Sequence, residues 1–118
     1  MTFKNKFNKF KQYNEYFNGL NDTQITEMLD NAAGKIGSMQ DLSKDTKDIC
    51  GEAVHSVKQS VKLGLNLKNL NVKKLKKAFD ELKDISKSEI SDDEKQTVDL
   101  MIGLTDLFID NYSSMRNW

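Results

Sequence analysis

The chain has 118 residues, 18 basic and 18 acidic side chains, one cysteine and no proline; 37% of it is hydrophobic and 31% charged. That is one domain's worth of chain, without the lopsided charge of a disordered tail or a typical nucleic-acid binder, and one cysteine excludes an internal disulfide. The absence of proline and a count of only six glycines predict an all-α fold, a compact single-domain bundle of about five helices with short connections.

The first predicted helix is FKNKFNKFKQYNEYF, residues 3–17. Phe3, Phe7, Phe10 and Phe17 fall on one face at helical spacing, with Tyr13 beside them. Three roles fit such a face: core, an interfacial membrane helix with flanking lysines, or a docking element. The rest of the bundle is short of large side chains, so core is the leading expectation. Asn18 and Gly19 end the segment.

A second helix is expected to start at Asp22 or Thr23 and to bury Ile25, Met28, Leu29, Ala32, Ala33 and Ile36. Gly34 and Gly37 weaken its last turns. The third begins near Ser43, carries the stripe Ile49, Cys50, Ala53, Val54, Val57 and Val61, and fades at Gly64. The stretch LGLNLKNLNV, residues 63–72, reads as a connection whose leucines press on the core. Asn71 caps a fourth helix with Val72, Leu75, Phe79, Leu82 and Ile85 on its apolar face.

The fifth helix opens on SDDE, residues 91–94, a capping box in which Ser91 reaches forward and Glu94 back. Asp92 and Asp93 complement the helix dipole. This helix carries two apolar stripes. Val98, Met101, Ile102, Phe108, Ile109 and Tyr112 form one; Leu100, Leu104 and Leu107 form a second, expected on the far side. Such a helix is either central to the bundle or uses its second stripe as a homodimer seam.

Charge is segregated along the chain. Residues 1–11 hold four lysines and no acid; residues 12–52 hold eight acids and three lysines; residues 53–79 hold seven lysines and no acid; residues 80–110 hold ten acids and three lysines. Opposite blocks facing one another in an antiparallel bundle is the plainest explanation. The alternative is a basic patch made by Lys58, Lys62, Lys68, Lys73, Lys74, Lys76 and Lys77, open to an anionic partner. With one arginine, Arg116, and a neutral balance, the chain lacks the bidentate chemistry favoured for nucleic acid.

Reactive chemistry is sparse. Cys50 lies within an apolar stripe, where a thiol is inert, and His55 faces away from it. One histidine and one cysteine cannot supply a tetrahedral zinc site, and no phosphate-loop, dinucleotide or nucleophile-elbow motif occurs. Glu52 and His55 have the Glu-x-x-His spacing of helical di-iron sites, but those need a second such pair. Asp45, Asp48 and Glu52 share one side of their helix, which reads best as a solvated acidic face. No enzyme, cofactor or metal centre is expected.

The opening residues lack the apolar run of a secretory signal. The most apolar stretch, VDLMIGLTDLFI at 98–109, is too short for the roughly 20 residues of a membrane span. A cytoplasmic protein is expected. In length and helix count alone the chain is similar to small microbial helical antagonists such as bacteriocin immunity proteins; no residue carries the resemblance.

The expected function is therefore non-enzymatic: binding another protein, as an inhibitor or immunity-type antagonist of microbial or phage origin. Its candidate interaction residues are Lys58, Lys62, Lys73, Lys74 and Lys77 together with Leu100, Leu104 and Leu107. Peripheral membrane binding through residues 3–17 and nucleic-acid association through the 58–77 lysines are the alternatives.

Overall fold

The computed structural model describes residues 19–64 and 67–116. The expected first helix at 3–17, and with it the choice of role for its aromatic face, lies outside the described residues. Within them the chain is all-helical, without a strand: α1 (Asp22–Ser38), α2 (Lys44–Leu63), α3 (Val72–Ser86) and α4 (Asp92–Arg116). These are the second to fifth expected segments.

Each helix begins where a side chain can take up the first unpaired backbone N–H groups. For α1 that residue is Asn21, one position earlier than expected. Asn21 Oδ1 accepts from the Gln24 N–H at 2.8 Å, and Gln24 Oε1 accepts from the Asn21 N–H at 2.9 Å. Neither Asp22 nor Thr23 has Gln or Glu three residues on, so only Asn21 can close this reciprocal box. Ser43 caps α2, accepting from the Thr46 N–H at 3.3 Å. Asn71 caps α3, accepting from the Lys74 N–H at 3.1 Å. At the start of α4, Ser91 Oγ accepts from the Glu94 N–H at 3.2 Å, and the Glu94 carboxylate reaches back to the Ser91 hydroxyl at 3.1 Å.

Termination is as local as initiation. Gly64 takes a left-handed conformation, φ +69°, and its N–H returns to the Ser60 carbonyl at 2.9 Å. A side chain is strained in that backbone region, which is why the valine-rich α2 stops at a glycine. Leu67 then turns inward and is buried. The Lys68 N–H donates to Ser56 Oγ at 3.1 Å. Together these tie the α2–α3 connection to the bundle, as its leucines predict.

One apolar cluster draws on all four helices, with Ile25, Leu29 and Ile36 from α1, Ile49 and Val57 from α2, and Leu75 and Leu82 from α3. Helix α4 is its hub, packing against each of the other three; α2 in turn packs on both α1 and α3. The two stripes of α4 are adjacent sectors rather than opposite faces. At about 100° per residue, Leu100, Leu104 and Leu107 merge with Phe108, Met101 and Val98 into one arc covering roughly half the circumference. Leu100, Leu104 and Leu107 are only 3%, 0% and 7% exposed, so their side chains pack within this chain's own core. Each such burial contributes about 1.5–3 kcal/mol.

Polar groups inside this arc are satisfied locally. The Thr97 hydroxyl donates to the Asp93 carbonyl at 3.1 Å, and the Thr105 hydroxyl donates to the carbonyls of Met101 and Ile102 at 3.0 and 2.9 Å. Buried hydroxyls bonded in this way avoid the cost of an unpaired donor.

Candidate interaction surface

The lysines of residues 53–79 divide into one that pairs with an acid on another helix and six that stand outside any ion pair among the described residues. Lys58 on α2 reaches Asp30 on α1 at 3.2 Å, so it belongs to the packing of oppositely charged blocks. Lys62, Lys68, Lys73, Lys74, Lys76 and Lys77 are all exposed, and none of them is in an ion pair among the described residues. The antiparallel hand-over from α2 to α3 gathers the first four at one end of the bundle, with Lys76 and Lys77 a turn further along α3. Lys62 in the last turn of α2 complements the negative end of that helix. Lys73 and Lys74 do the opposite. They sit in the first turn of α3, which has no acid, whereas α1, α2 and α4 each begin with one or more. Lys73 also stands three and four residues before Lys76 and Lys77, where like charges repel.

Beside this edge lies a groove of about 670 Å³, walled by α2 and the 67–71 connection. Glu52, His55 and Gln59 line it from α2; Lys68, Asn69 and Asn71 line it from the connection. Its floor is Ser56 and Ser60, both buried. Neither serine belongs to a recognised motif. Their signal is visible all the same: spaced i, i+4, they fall beside Ile49 and Ala53 on the buried side of α2.

Helices α2 and α3 are also joined near the opposite end by a carboxylate the sequence reading did not single out. Glu81 on α3 accepts the Ser43 N–H, the Ser43 hydroxyl at 3.0 Å and the Thr46 hydroxyl at 2.9 Å. It lies across the N-terminus of α2, the positive end of that helix. Partial burial pushes its pKa up, but the hydrogen bonds from Ser43 and Thr46 and the nearby Lys77 charge outweigh this and hold it below its ordinary value. No local spacing rule foretells this contact, because Glu81 and Ser43 are 38 residues apart.

The candidates for chemistry stay apart. Cys50 is buried, and burial, with a smaller push from the Glu81 charge, raises its thiol to about 12, far from a reactive thiolate. His55 and Glu52 are exposed on the groove wall. Asp45 and Asp48 are exposed on α2. No three His, Cys, Asp or Glu side chains converge into a metal cluster among the described residues, and no described helix is long and apolar enough to cross a membrane. The only large hydrophobic side chain prominently exposed among them is Leu63, at 58%, beside Gly64.

Comparison of the chain with protein-family models, with curated proteins and with solved structures yields no significant match.

Proposed function

We propose that the protein is a non-enzymatic binding module that docks an acidic surface of another protein against the lysine edge formed by Lys62, Lys68, Lys73, Lys74, Lys76 and Lys77. The observation that carries this reading is the start of α3. Lysines there face the positive end of their own helix, stand next to one another, and have no acid to offset them. Such an arrangement costs folding stability, and a negatively charged partner turns that cost into affinity and fast association. In its specific form the module is an antagonist of microbial or phage origin, acting by occupying its partner's surface rather than by chemistry.

The test is retention of a source-lysate protein on the immobilised chain, compared with a K73E/K74E/K76E variant and identified by mass spectrometry. We expect an acidic protein that binds the parent chain and is lost from the variant. It is also expected to be lost near 1 M salt, where the screening length falls to about 3 Å. Retention unaffected by charge reversal would remove the lysine edge from the account. Retention abolished by nuclease would move the partner to nucleic acid.

A further inference from the structure

The groove beside the lysine edge contains a hydroxyl with no protein partner on an otherwise buried residue. Ser60 is 2% exposed, and its hydroxyl has no hydrogen-bond partner among the described residues; only its backbone carbonyl is engaged, by Gly64. Yet no sealed-in side-chain oxygen or nitrogen among them goes unpartnered. The hydroxyl therefore opens onto the groove that Ser60 lines. One turn earlier, Ser56 Oγ accepts from the Lys68 N–H at 3.1 Å, which leaves its own proton available to donate. Lys68 lines the wall, and its ammonium has no ion pair among the described residues.

We propose that this groove is an oxyanion subsite that seats a glutamate or aspartate side chain of the partner protein. This inference rests on the reading of the lysine edge as a protein-docking surface. Donors dominate the lining: the Ser60 and Ser56 hydroxyls on the floor, with Lys68 and Gln59 on the walls. The one carboxylate in the lining, Glu52, precedes Ser60 by eight residues, about 12 Å along the helix axis. It therefore faces a different part of the occupant and, with His55, suits the backbone N–H groups of a peptide.

Cavity size points the same way. A half-open groove of about 670 Å³ exceeds what one carboxylate fills and leaves room for the chain on either side of it. A partner closing over it strands the Ser60 hydroxyl unless it brings an acceptor, so apolar occupants are selected against; between acceptors, the Lys68 charge favours a carboxylate over a neutral amide. The Glu52 carboxylate in the lining favours a monoanionic carboxylate over a more highly charged phosphate.

The test uses the full chain, isotopically labelled for amide NMR. Three probes are titrated separately: a blocked oligoglutamate peptide, its oligoglutamine counterpart and inorganic phosphate. Oligoglutamate is expected to shift the amides of Ser56, Ser60 and Lys68 saturably, while oligoglutamine leaves them in place. Ser60→Ala is expected to weaken oligoglutamate binding about tenfold, the effect of one hydrogen bond to a charged group, and Lys68→Gln about fivefold. Neither variant removes a side-chain hydrogen bond seen in the fold, and an unchanged far-ultraviolet spectrum confirms that both remain folded.

Shifts confined to Lys62, Lys73, Lys74 and Lys76 would overturn the subsite and leave the docking edge standing. Unchanged affinity in the Ser60→Ala variant would do the same. A Ser60-dependent response to phosphate but not to oligoglutamate would reassign the groove to a free anion and overturn the proposal. No response anywhere would sink both the subsite and the edge.

Discussion

The two ends of the α2–α3 pair carry opposite solutions to the same electrostatic problem. Near one end, the N-terminus of α2 receives the Glu81 carboxylate, which takes hydrogen bonds from Ser43 and Thr46 and brings negative charge to a positive helix end. At the other, the N-terminus of α3 receives Lys73 and Lys74, positive charge at a positive helix end, with no acid in its first turn. The same two helices are thus locked at one end and left electrostatically unfinished at the other. The locked end serves folding; the unfinished end is where a partner has most to offer.

The largest effect tests whether the core is shared by both ends. Leu104→Ala, at the fully buried centre of α4, is expected to cost about 2–5 kcal/mol, read as a shift in the denaturation midpoint. It should lower stability without changing the concentration dependence of sedimentation. A dissociating dimer in the parent chain that the variant abolishes would return Leu104 to an intermolecular seam.

Next comes the locked end. Glu81→Ala leaves the Ser43 N–H and the Ser43 and Thr46 hydroxyls to find other partners. Hydrogen bonds to a charged group contribute about 1.5–3 kcal/mol each when sheltered. Glu81 is only part-buried, so screening reduces the total and about 2 kcal/mol is expected for the whole clasp. Its pH signature is specific. Because the folded chain holds this carboxyl below its ordinary value of 4.5, the clasp contributes in full above that pH and is lost as pH falls through the depressed folded value. Glu81→Gln should flatten the fall in stability below pH 4.5, and an acid limb identical to the parent's would remove Glu81 from the set of groups that cause it.

These two residues show which parts of the molecule were readable beforehand. Helices could be read because their signals are short-range. Ser43, Gly64, Asn71 and Ser91 lie within a few residues of the groups they cap, and the valines of α2 repeat at one turn's spacing. The shift of the first cap to Asn21 was also readable, since Gln24 stands three residues on. Leu100, Leu104 and Leu107 are legible as apolar positions on a helix that is either central or self-associating, and the packing of α4 on all three other helices matches the first of these. Separating six residues from three obscured the continuous arc that Leu104 and Phe108 close. Glu81 and the Ser56–Ser60 floor were invisible for another reason. Each acquires meaning only when a distant element arrives: Ser43 for Glu81, the Lys68 loop for Ser56. Among the candidate lysines, charge alone could not distinguish Lys58, whose partner Asp30 is 28 residues away, from Lys73 and Lys74, which have none among the described residues.

The unfinished end inverts the usual direction of a mutation. In the K73E/K74E/K76E variant, acids replace lysines at the start of α3, so dipole opposition becomes complementarity; position 73 gains an opposite charge four residues on at Lys77, while the like-charge contact between positions 73 and 76 persists with its sign reversed. A gain of about 1 kcal/mol in stability is expected at low salt, shrinking as salt rises, together with loss of the partner. Stability and binding moving in opposite directions is what sets a surface held for docking apart from one held for folding. A variant that is less stable than the parent would mean that these lysines support the fold, and the contrast between the two ends would fail.

The smallest effects come from the ion pairs that join the charge blocks. Lys35 on α1 reaches both oxygens of Asp93 on α4, at 2.7 and 2.9 Å, and Lys58 on α2 reaches Asp30 on α1 at 3.2 Å. All four side chains are substantially exposed, so each pair is expected to contribute about 0–1 kcal/mol. The two-oxygen geometry places Lys35–Asp93 toward the upper end. A double-mutant cycle, Lys35→Met with Asp93→Asn, isolates that coupling from the effect of Asp93 on the α4 dipole. Lys58→Met with Asp30→Asn is expected to give a smaller coupling, vanishing near 1 M salt. If Lys58 is a packing lysine, as its pairing implies, its loss should leave partner retention unchanged while the α3 substitutions abolish it. Equal losses of binding at Lys58 and at Lys73 would extend the docking surface along α2 and erase the distinction between the paired lysine and the unpaired ones.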